Sequence, residues 1–130
     1  MVLPIKPGSH HRGFTLVEML IVVTILGILA SLAVPYLSKQ IRRSKESVLR
    51  ENLFTLRDVI DQYYADKGRY PTSLQALVAE HYIRAVPKDP FTGSADTWVT
   101  LPPPDGGEGV YDVKSGSDGV DSSGVPYREW

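Results

Sequence analysis

The hydrophobic positions of the chain form one long uncharged run, followed by a periodic stripe. The run covers residues 19–38 and reads MLIVVTILGILASLAVPYLS. Twenty helical residues rise about 30 Å, which matches the hydrocarbon core of a bilayer. The run therefore predicts a membrane-spanning helix. A buried core helix is a poor alternative, because so little of a 130-residue chain is left to enclose a helix that is apolar on all faces.

A cleaved signal peptide is the second alternative for this run. Lys6 and Arg12 supply a basic segment before it, and Ser31-Leu32-Ala33 offers a cleavage site with small residues. The run exceeds the roughly 7–15 apolar residues that are usual in signal peptides, and Glu18 lies at its start. These two features favour a retained membrane helix.

The stripe beyond the run predicts that the helix continues. Apolar residues recur at spacings of three and four, which is typical of an amphipathic helix: Leu49, Leu53, Leu56, Ile60, Tyr63 and Tyr64. No turn signal interrupts residues 38–66, so we expect one helix from about Phe14 to about Asp66. Pro35 removes one backbone hydrogen bond, and we expect a kink or local melting there.

The remaining residues predict a small α+β domain packed on this helix. Gly68 and Pro71 end the long helix, and Thr72-Ser73-Leu74-Gln75 is a capping box that opens a short helix to about Tyr82. Alternation predicts two strands, Asp96–Leu101 and Gly109–Lys114. The tail is turn-rich, and we expect a structured loop anchored by three aromatic residues: Tyr111, Tyr127 and Trp130.

Composition argues against catalysis and against nucleic-acid binding. The chain has no cysteine and three histidines, so thiol nucleophiles and Cys-ligated metals are excluded and a His-based site would depend on His81 alone. Its 14 basic and 15 acidic residues give a net charge of −1, without a global basic field. Basic residues concentrate after the apolar run, at positions 39–57, and a positive-inside count would place the C-terminal domain in the cytoplasm.

The residues before the run carry the most specific motif. Arg12-Gly13-Phe14-Thr15-Leu16-Val17-Glu18 resembles the processing site of type IV prepilins and type II secretion pseudopilins. The resemblance implies that a prepilin peptidase cuts between Gly13 and Phe14 and that Phe14 is N-methylated. It implies a leader at 1–13, a transmembrane and assembly helix at 14–38, and a periplasmic amphipathic helix with a globular domain at 39–130. Pro35 falls where such proteins commonly bend this helix.

Glu18 has two interpretations. A carboxylate in a membrane helix costs on the order of 2.5–3.5 kcal/mol at the bilayer centre and is normally paired. The resemblance makes the free amine of Phe14 on a neighbouring subunit its partner during assembly. Alternatively, Glu18 lies in the headgroup region, where a helix N-terminus favours acids.

Two further segments extend the resemblance to major, G-type pseudopilins. They are residues 66–72 (DKGRYPT) and 86–91 (VPKDPF), and residues 111–119 (YDVKSGSDG) resemble the C-terminal loop of those proteins. That loop binds calcium in the family, and the oxygen-bearing residues here are Asp112, Ser115, Ser117, Asp118 and Asp121. The usual acid four residues before the last tryptophan is replaced by Pro126. The alternative is an acidic solvated loop held by the packing of Tyr127 and Trp130.

The resemblance as a whole implies a pilin-like fold and a mechanical function rather than an enzymatic one. We expect a single-pass inner-membrane subunit, with its C-terminal domain in the periplasm, that assembles by helix packing into a type II secretion pseudopilus. The expected partners are other copies of the chain, other pseudopilins, the prepilin peptidase, the assembly platform and lipid, with no nucleic acid. Calcium is the one cofactor implied. The alternatives are a type IV pilus subunit, a membrane-anchored periplasmic binding domain and a secreted calcium-binding module.

Overall fold

The structure is a computed structural model that describes residues 2–5, 7–8 and 13–130. Its backbone divides into two compact units, one ending at Lys39 and the other covering Gln40–Trp130. Lys6 and Arg12, the basic residues expected in the leader, lie outside the described residues.

The first element is a 52-residue helix, α1, which covers Leu16–Lys67. Its bounds lie within two residues of those predicted from the apolar run and the stripe. Pro35 lies inside α1, and the helical assignment continues through it. Of the two alternatives expected there, local melting is wrong and the kink stays a prediction. The helix ends as the sequence predicts: Gly68 has φ 70°, and its N–H donates to the Tyr64 carbonyl at 2.8 Å.

A short helix, α2, covers Leu74–Ala79. Ser73 is its N-cap, since the Ser73 hydroxyl accepts from the Ala76 N–H at 3.2 Å. The helix predicted here is confirmed, but its capping box is wrong, because the N-cap is Ser73 and not Thr72, and Ala76 rather than Gln75 lies at the third helical position. The helix also ends before Tyr82. His81 adopts φ 65° in the turn that follows.

Two three-residue strands form the sheet, β1 at Val99–Leu101 and β2 at Asp112–Lys114. They pair antiparallel in the register Val99↔Lys114, Thr100↔Val113 and Leu101↔Asp112. Both strands are shorter than predicted, while their order and pairing confirm the α+β prediction. A 3-10 turn at Tyr127–Glu129 closes the C-terminal loop.

The hydrophobic core lies entirely within Gln40–Trp130, where α1 supplies one wall. The buried apolar residues are Leu49, Leu53, Leu56, Val59, Ile60, Tyr63, Leu74, Leu77, Trp98, Val110, Val113 and Tyr127. The predicted stripe is confirmed except at Tyr64, which is 45% exposed and stacks on Tyr70 with ring centroids 4.4 Å apart. Among the expected loop anchors, Tyr127 is buried and Trp130 packs partly against the core, but Tyr111 is 43% exposed.

Candidate processing and assembly site

Thr15 fixes the point at which α1 begins. Its hydroxyl accepts from the Glu18 backbone N–H at 3.1 Å, and its carbonyl accepts from the Met19 N–H at 3.1 Å. Thr15 is thus the N-cap, and Glu18 occupies the third helical position of a capping-box sequence. This role of Thr15 was not predicted from the sequence, although the Thr-x-x-Glu spacing is a local signal for it.

Phe14 and Glu18, the two residues expected to act in assembly, are both solvent-exposed. Phe14 is 76% exposed and immediately precedes the capped turn. Glu18 lies in the first turn of α1, where the helix dipole favours a carboxylate. The capped turn therefore holds both residues at the very start of the apolar helix.

Gly13 has no role in the fold that requires a glycine. A Cβ built on Gly13 would meet no atom within 4 Å, and Gly13 does not have a positive φ. A requirement for glycine here would therefore come from another molecule.

The apolar run forms a helix surface that no other part of the described structure covers. Within the described residues, α1 is the one helix long and apolar enough to cross a membrane, and its most apolar window is fully exposed. Each serine and threonine hydroxyl of residues 19–38 donates to a carbonyl of the same helix: Thr24 to Leu20, Ser31 to Ile28 and Ser38 to Val34, at 2.7–3.1 Å. These hydroxyls are satisfied without water, as a lipid environment requires.

Pro35 lies three residues before the end of this apolar surface. Because proline has no N–H, the helix lacks one backbone donor at this turn. Ser38 lies on the following turn, and its hydroxyl donates to the Val34 carbonyl at 3.1 Å. This side-chain hydrogen bond lies next to the proline that lacks a backbone donor.

The aspartates expected to bind calcium are engaged with different partners. Asp112 accepts from Arg57 Nε at 2.8 Å, and Asp118 forms an ion pair with Arg128. Asp121 accepts from the N–H groups of Ser123 and Val125 at 2.7 and 3.0 Å, and from the Trp130 indole at 3.3 Å. These bonds, led by that from Val125, lower the pKa of Asp121 below its ordinary value.

Ser115 and Ser117 lie in the interior instead of at a solvent-accessible ion site. The Ser115 hydroxyl donates to Asp89 Oδ2, and both residues are completely buried. The other Asp89 oxygen accepts from the Phe91 N–H at 2.9 Å. Asp89 thus joins the Asp-Pro-Phe turn to the start of the C-terminal loop, a role that sequence reasoning missed although it had singled out this motif.

The structure does not bring the five expected calcium ligands together. Among the described residues, no three His, Cys, Asp or Glu side chains are grouped so that they could hold a metal ion. The carboxylate oxygens accept from arginine, indole and backbone N–H donors, and the two hydroxyls are buried. The arrangement therefore does not fit a calcium ion coordinated by Asp112, Ser115, Ser117, Asp118 and Asp121, because calcium needs six to eight converging oxygens.

A buried carboxylate connects α1 to this loop. Glu46 is 8% exposed and accepts from the Tyr127 hydroxyl at 2.8 Å. Arg42 Nε lies 3.6 Å from the same carboxylate oxygen and donates to the Tyr127 hydroxyl at 3.3 Å. Burial raises the pKa of Tyr127, and the bond to Tyr127 raises that of Arg42. Tyr127 therefore remains a neutral donor to Glu46 at physiological pH.

Comparison with known families agrees with this geometry. The prokaryotic N-terminal methylation motif matches residues 8–34, which include Gly13, Phe14, Glu18 and most of the apolar run. An N-terminal methylation motif, an exposed apolar helix and a small α+β domain together define a pseudopilin, a class of structural rather than enzymatic proteins.

The relatives identify the particular family. The chain is 35% identical to the type II secretion system core protein G of Klebsiella pneumoniae, over 94% of this chain and 96% of the relative. It is 33% identical to that of Escherichia coli K12, over 88% and 87%, and 32% identical to that of Vibrio cholerae, over 96% and 95%. The chain belongs to the type II secretion system core protein G family, the major pseudopilins. No solved structure matches it.

Family membership has two direct consequences for the chain. Its partners belong to a filament and to the secretion machinery. Its apolar run, most of which lies within the methylation motif, indicates anchoring in the inner membrane.

Proposed function

We propose that the chain is cut between Gly13 and Phe14, N-methylated at Phe14, and assembled through residues 14–38 into a periplasmic pseudopilus that drives protein export. The observation that carries this proposal is the fully exposed apolar helix, which begins two residues after Phe14 and has Glu18 in its first turn. The apolar surface is buried in lipid before assembly and against neighbouring helices afterwards. No step of this proposal requires calcium.

Glu18 pairs with the Phe14 amine of a neighbouring subunit. Cleavage creates a cationic amine on Phe14, close in the chain to the Glu18 carboxylate. A charge inside a membrane is normally compensated by an opposite charge. The Thr15 cap supports this role, because it fixes the backbone of Glu18 relative to Phe14. A neighbour shifted along the helix axis can then place its amine against this carboxylate.

The proposed topology places residues 39–130 in the periplasm, with a single membrane span. The positive-inside count opposes it, but one of the counted residues, Arg42, contacts Glu46, Val120 and Tyr127 in the folded domain. A basic residue at position 42 is therefore explained by these contacts in the folded domain, without reference to membrane topology. The proposed partners are further copies of the chain, other pseudopilins, the prepilin peptidase, the assembly platform and lipid.

Processing is tested with Gly13→Val. The valine side chain should obstruct the prepilin peptidase, so we expect an unprocessed, membrane-bound precursor. Mass spectrometry of the purified protein measures whether the leader is retained. Gly8→Val is the matched control, since a Cβ at Gly8 also meets no atom within 4 Å and lies five residues upstream. Normal maturation of Gly13→Val to a methylated Phe14 would refute the assigned cut.

Assembly is tested with Glu18→Val in cells that lack their own core protein G. Removal of the charge should leave membrane insertion intact or improved, whereas pseudopilus formation and secretion should fall sharply. Glu51→Val is the control, because Glu51 is an exposed glutamate on the same helix beyond the apolar run. Secretion at the parent level with Glu18→Val would show that this carboxylate has no part in assembly.

A further inference from the structure

Arg57 connects three points around the C-terminal loop, residues 115–130. Its Nε donates to Asp112 at 2.8 Å, and one of its terminal nitrogens donates to the carbonyl oxygens of Val113 at 3.0 Å and Trp130 at 2.8 Å. The Arg57 side chain is 36% exposed and that of Asp112 is 27% exposed, so the pair is partly shielded from water. A planar guanidinium is suited to such divergent acceptors.

Two other arginines contact the same loop at different places. Arg42 donates to the Val120 carbonyl and to the Tyr127 hydroxyl. Arg128, within the loop, donates to the Ser117 carbonyl at 3.3 Å and pairs with Asp118. Because Asp118 is almost fully exposed, the ion pair itself contributes little, and the main-chain contacts matter more.

The acceptors of these three arginines are of the chemical kind that calcium coordinates in loops. They comprise four main-chain carbonyl oxygens, on Val113, Ser117, Val120 and Trp130, and two carboxylates, on Asp112 and Asp118. Carboxylate and carbonyl oxygens are the preferred calcium ligands. Here N–H donors of arginine occupy them.

Basic side chains also compensate most of the carboxylate charge of this region. Residues 112–130 contain four acids, Asp112, Asp118, Asp121 and Glu129, and two bases, Lys114 and Arg128. From α1, Arg42 and Arg57 raise the bases to four, and Glu46 raises the acids to five. Arginine thus supplies here much of the positive charge that a divalent cation would otherwise provide.

We propose that Arg42, Arg57 and Arg128 hold the C-terminal loop in place of the calcium ion that the sequence resemblance implies there, so that this loop folds without a divalent cation. The proposal depends on contacts within Gln40–Trp130 and not on the assembly role of Phe14 and Glu18. A failure of either proposal therefore leaves the other standing.

The first test is hydrogen–deuterium exchange of the full chain in detergent micelles, with excess calcium or with EDTA. We expect the amides of residues 115–130 to be equally protected in both, and the melting temperature of the domain to be unchanged. A calcium site saturated at ~100 times its dissociation constant would raise that temperature by roughly ten degrees or more. A calcium-dependent gain in loop protection or in melting temperature would overturn the proposal.

The second test removes the arginine contacts one at a time. Arg57→Gln should speed exchange in residues 115–130 while the amides of α2 stay protected, and Arg57→Lys should rescue only partly, because one ammonium cannot span three acceptors. Arg128→Gln removes a more exposed side chain and should loosen the loop without unfolding the domain. Arg69→Gln, at an exposed arginine in the bend after α1, is the matched control. Exchange in Arg57→Gln and Arg128→Gln that matches this control would refute the proposed role.

Discussion

Removal of the Tyr127 hydroxyl should destabilise the domain, although the ring that packs in its core would remain. Tyr127 is 2% exposed, and its ring stacks on Phe91 with centroids 4.0 Å apart. Tyr127→Phe preserves this stacking and deletes the hydroxyl, which donates to Glu46 at 2.8 Å and accepts from Arg42 at a longer 3.3 Å. The variant therefore removes chiefly the hydrogen bond to a buried carboxylate.

The expected magnitude follows from the partners that Glu46 would retain. A hydrogen bond to a charged group contributes about 1.5–3 kcal/mol. Arg42 Nε stays 3.6 Å from the same carboxylate oxygen, so Glu46 retains a cationic partner. The loss of folding free energy therefore lies in the lower part of that range. We expect a loss of about 1.5–2 kcal/mol, which lowers the melting temperature of a domain of this size by roughly 6–15 °C.

Tryptophan fluorescence of the full chain in detergent micelles measures this loss. The chain has two tryptophans, Trp98 and Trp130, and both belong to the unit that contains Tyr127. Denaturant unfolding followed by their emission therefore reports on that unit. Tyr64→Phe is the control, because Tyr64 is 45% exposed and its substitution should change stability by less than about 0.5 kcal/mol.

A double-mutant cycle separates the hydrogen bond from other effects of the variant. In a Glu46→Ala background, Tyr127→Phe should cost much less than in the parent, because its acceptor is already gone. Equal costs in the two backgrounds, or a parent loss no larger than that of Tyr64→Phe, would contradict the assignment of Glu46 as the functional acceptor.

Three further substitutions test other parts of the domain, each by denaturant or thermal unfolding. Leu56→Ala removes a completely buried side chain and should cost about 2–5 kcal/mol, and a smaller loss would place Leu56 outside the core. Gly116→Ala would drive a Cβ into the Thr97 carbonyl oxygen, so we expect a loss of about 1–3 kcal/mol, and parent stability would contradict that close approach. Asp121, whose pKa is lowered mainly by the Val125 N–H, stabilises the fold above its ordinary pKa near 3.8 and loses this effect as the pH falls through the lowered value. Stability should therefore decline below about pH 4, and Asp121→Asn should flatten that decline; identical pH profiles would refute the role.

The long helix was predictable because its signals are local. An uncharged run of membrane length and a stripe spaced by three and four need no knowledge of distant residues, and Gly68 marks the end by its own conformational freedom. The N-cap at Thr15 was equally local, since only the first three residues of the helix are involved.

The strands were overestimated because side chains compete with strand pairing. The hydroxyls of Thr92, Ser94 and Thr97 form turns with nearby groups, and the Trp98 indole donates to the Pro87 carbonyl at 2.8 Å. The Ser94 hydroxyl takes the Asp96 backbone N–H, and the first strand begins at Val99 and not at 96.

The partners of the loop aspartates could not be read from spacing in the sequence. Arg57 and Asp112 are 55 positions apart, and Ser115 and Asp89 are 26 apart. An acidic, serine-rich loop has the composition of a calcium site, but its coordination depends on which cation the fold brings beside each carboxylate. For Asp112 that cation is Arg57, which α1, a distant segment of the chain, supplies.

The hydroxyls of the apolar helix, bonded to carbonyls on their own backbone, affect how neighbouring helices can be aligned. Thr24, Ser31 and Ser38 already have their acceptors, so their donors need no bond across an interface. A neighbouring helix can therefore be displaced along this apolar surface without breaking a hydrogen bond. If Glu18 pairs with the neighbour's Phe14 amine as proposed, that ion pair, and not a hydroxyl, selects the axial offset between adjacent helices.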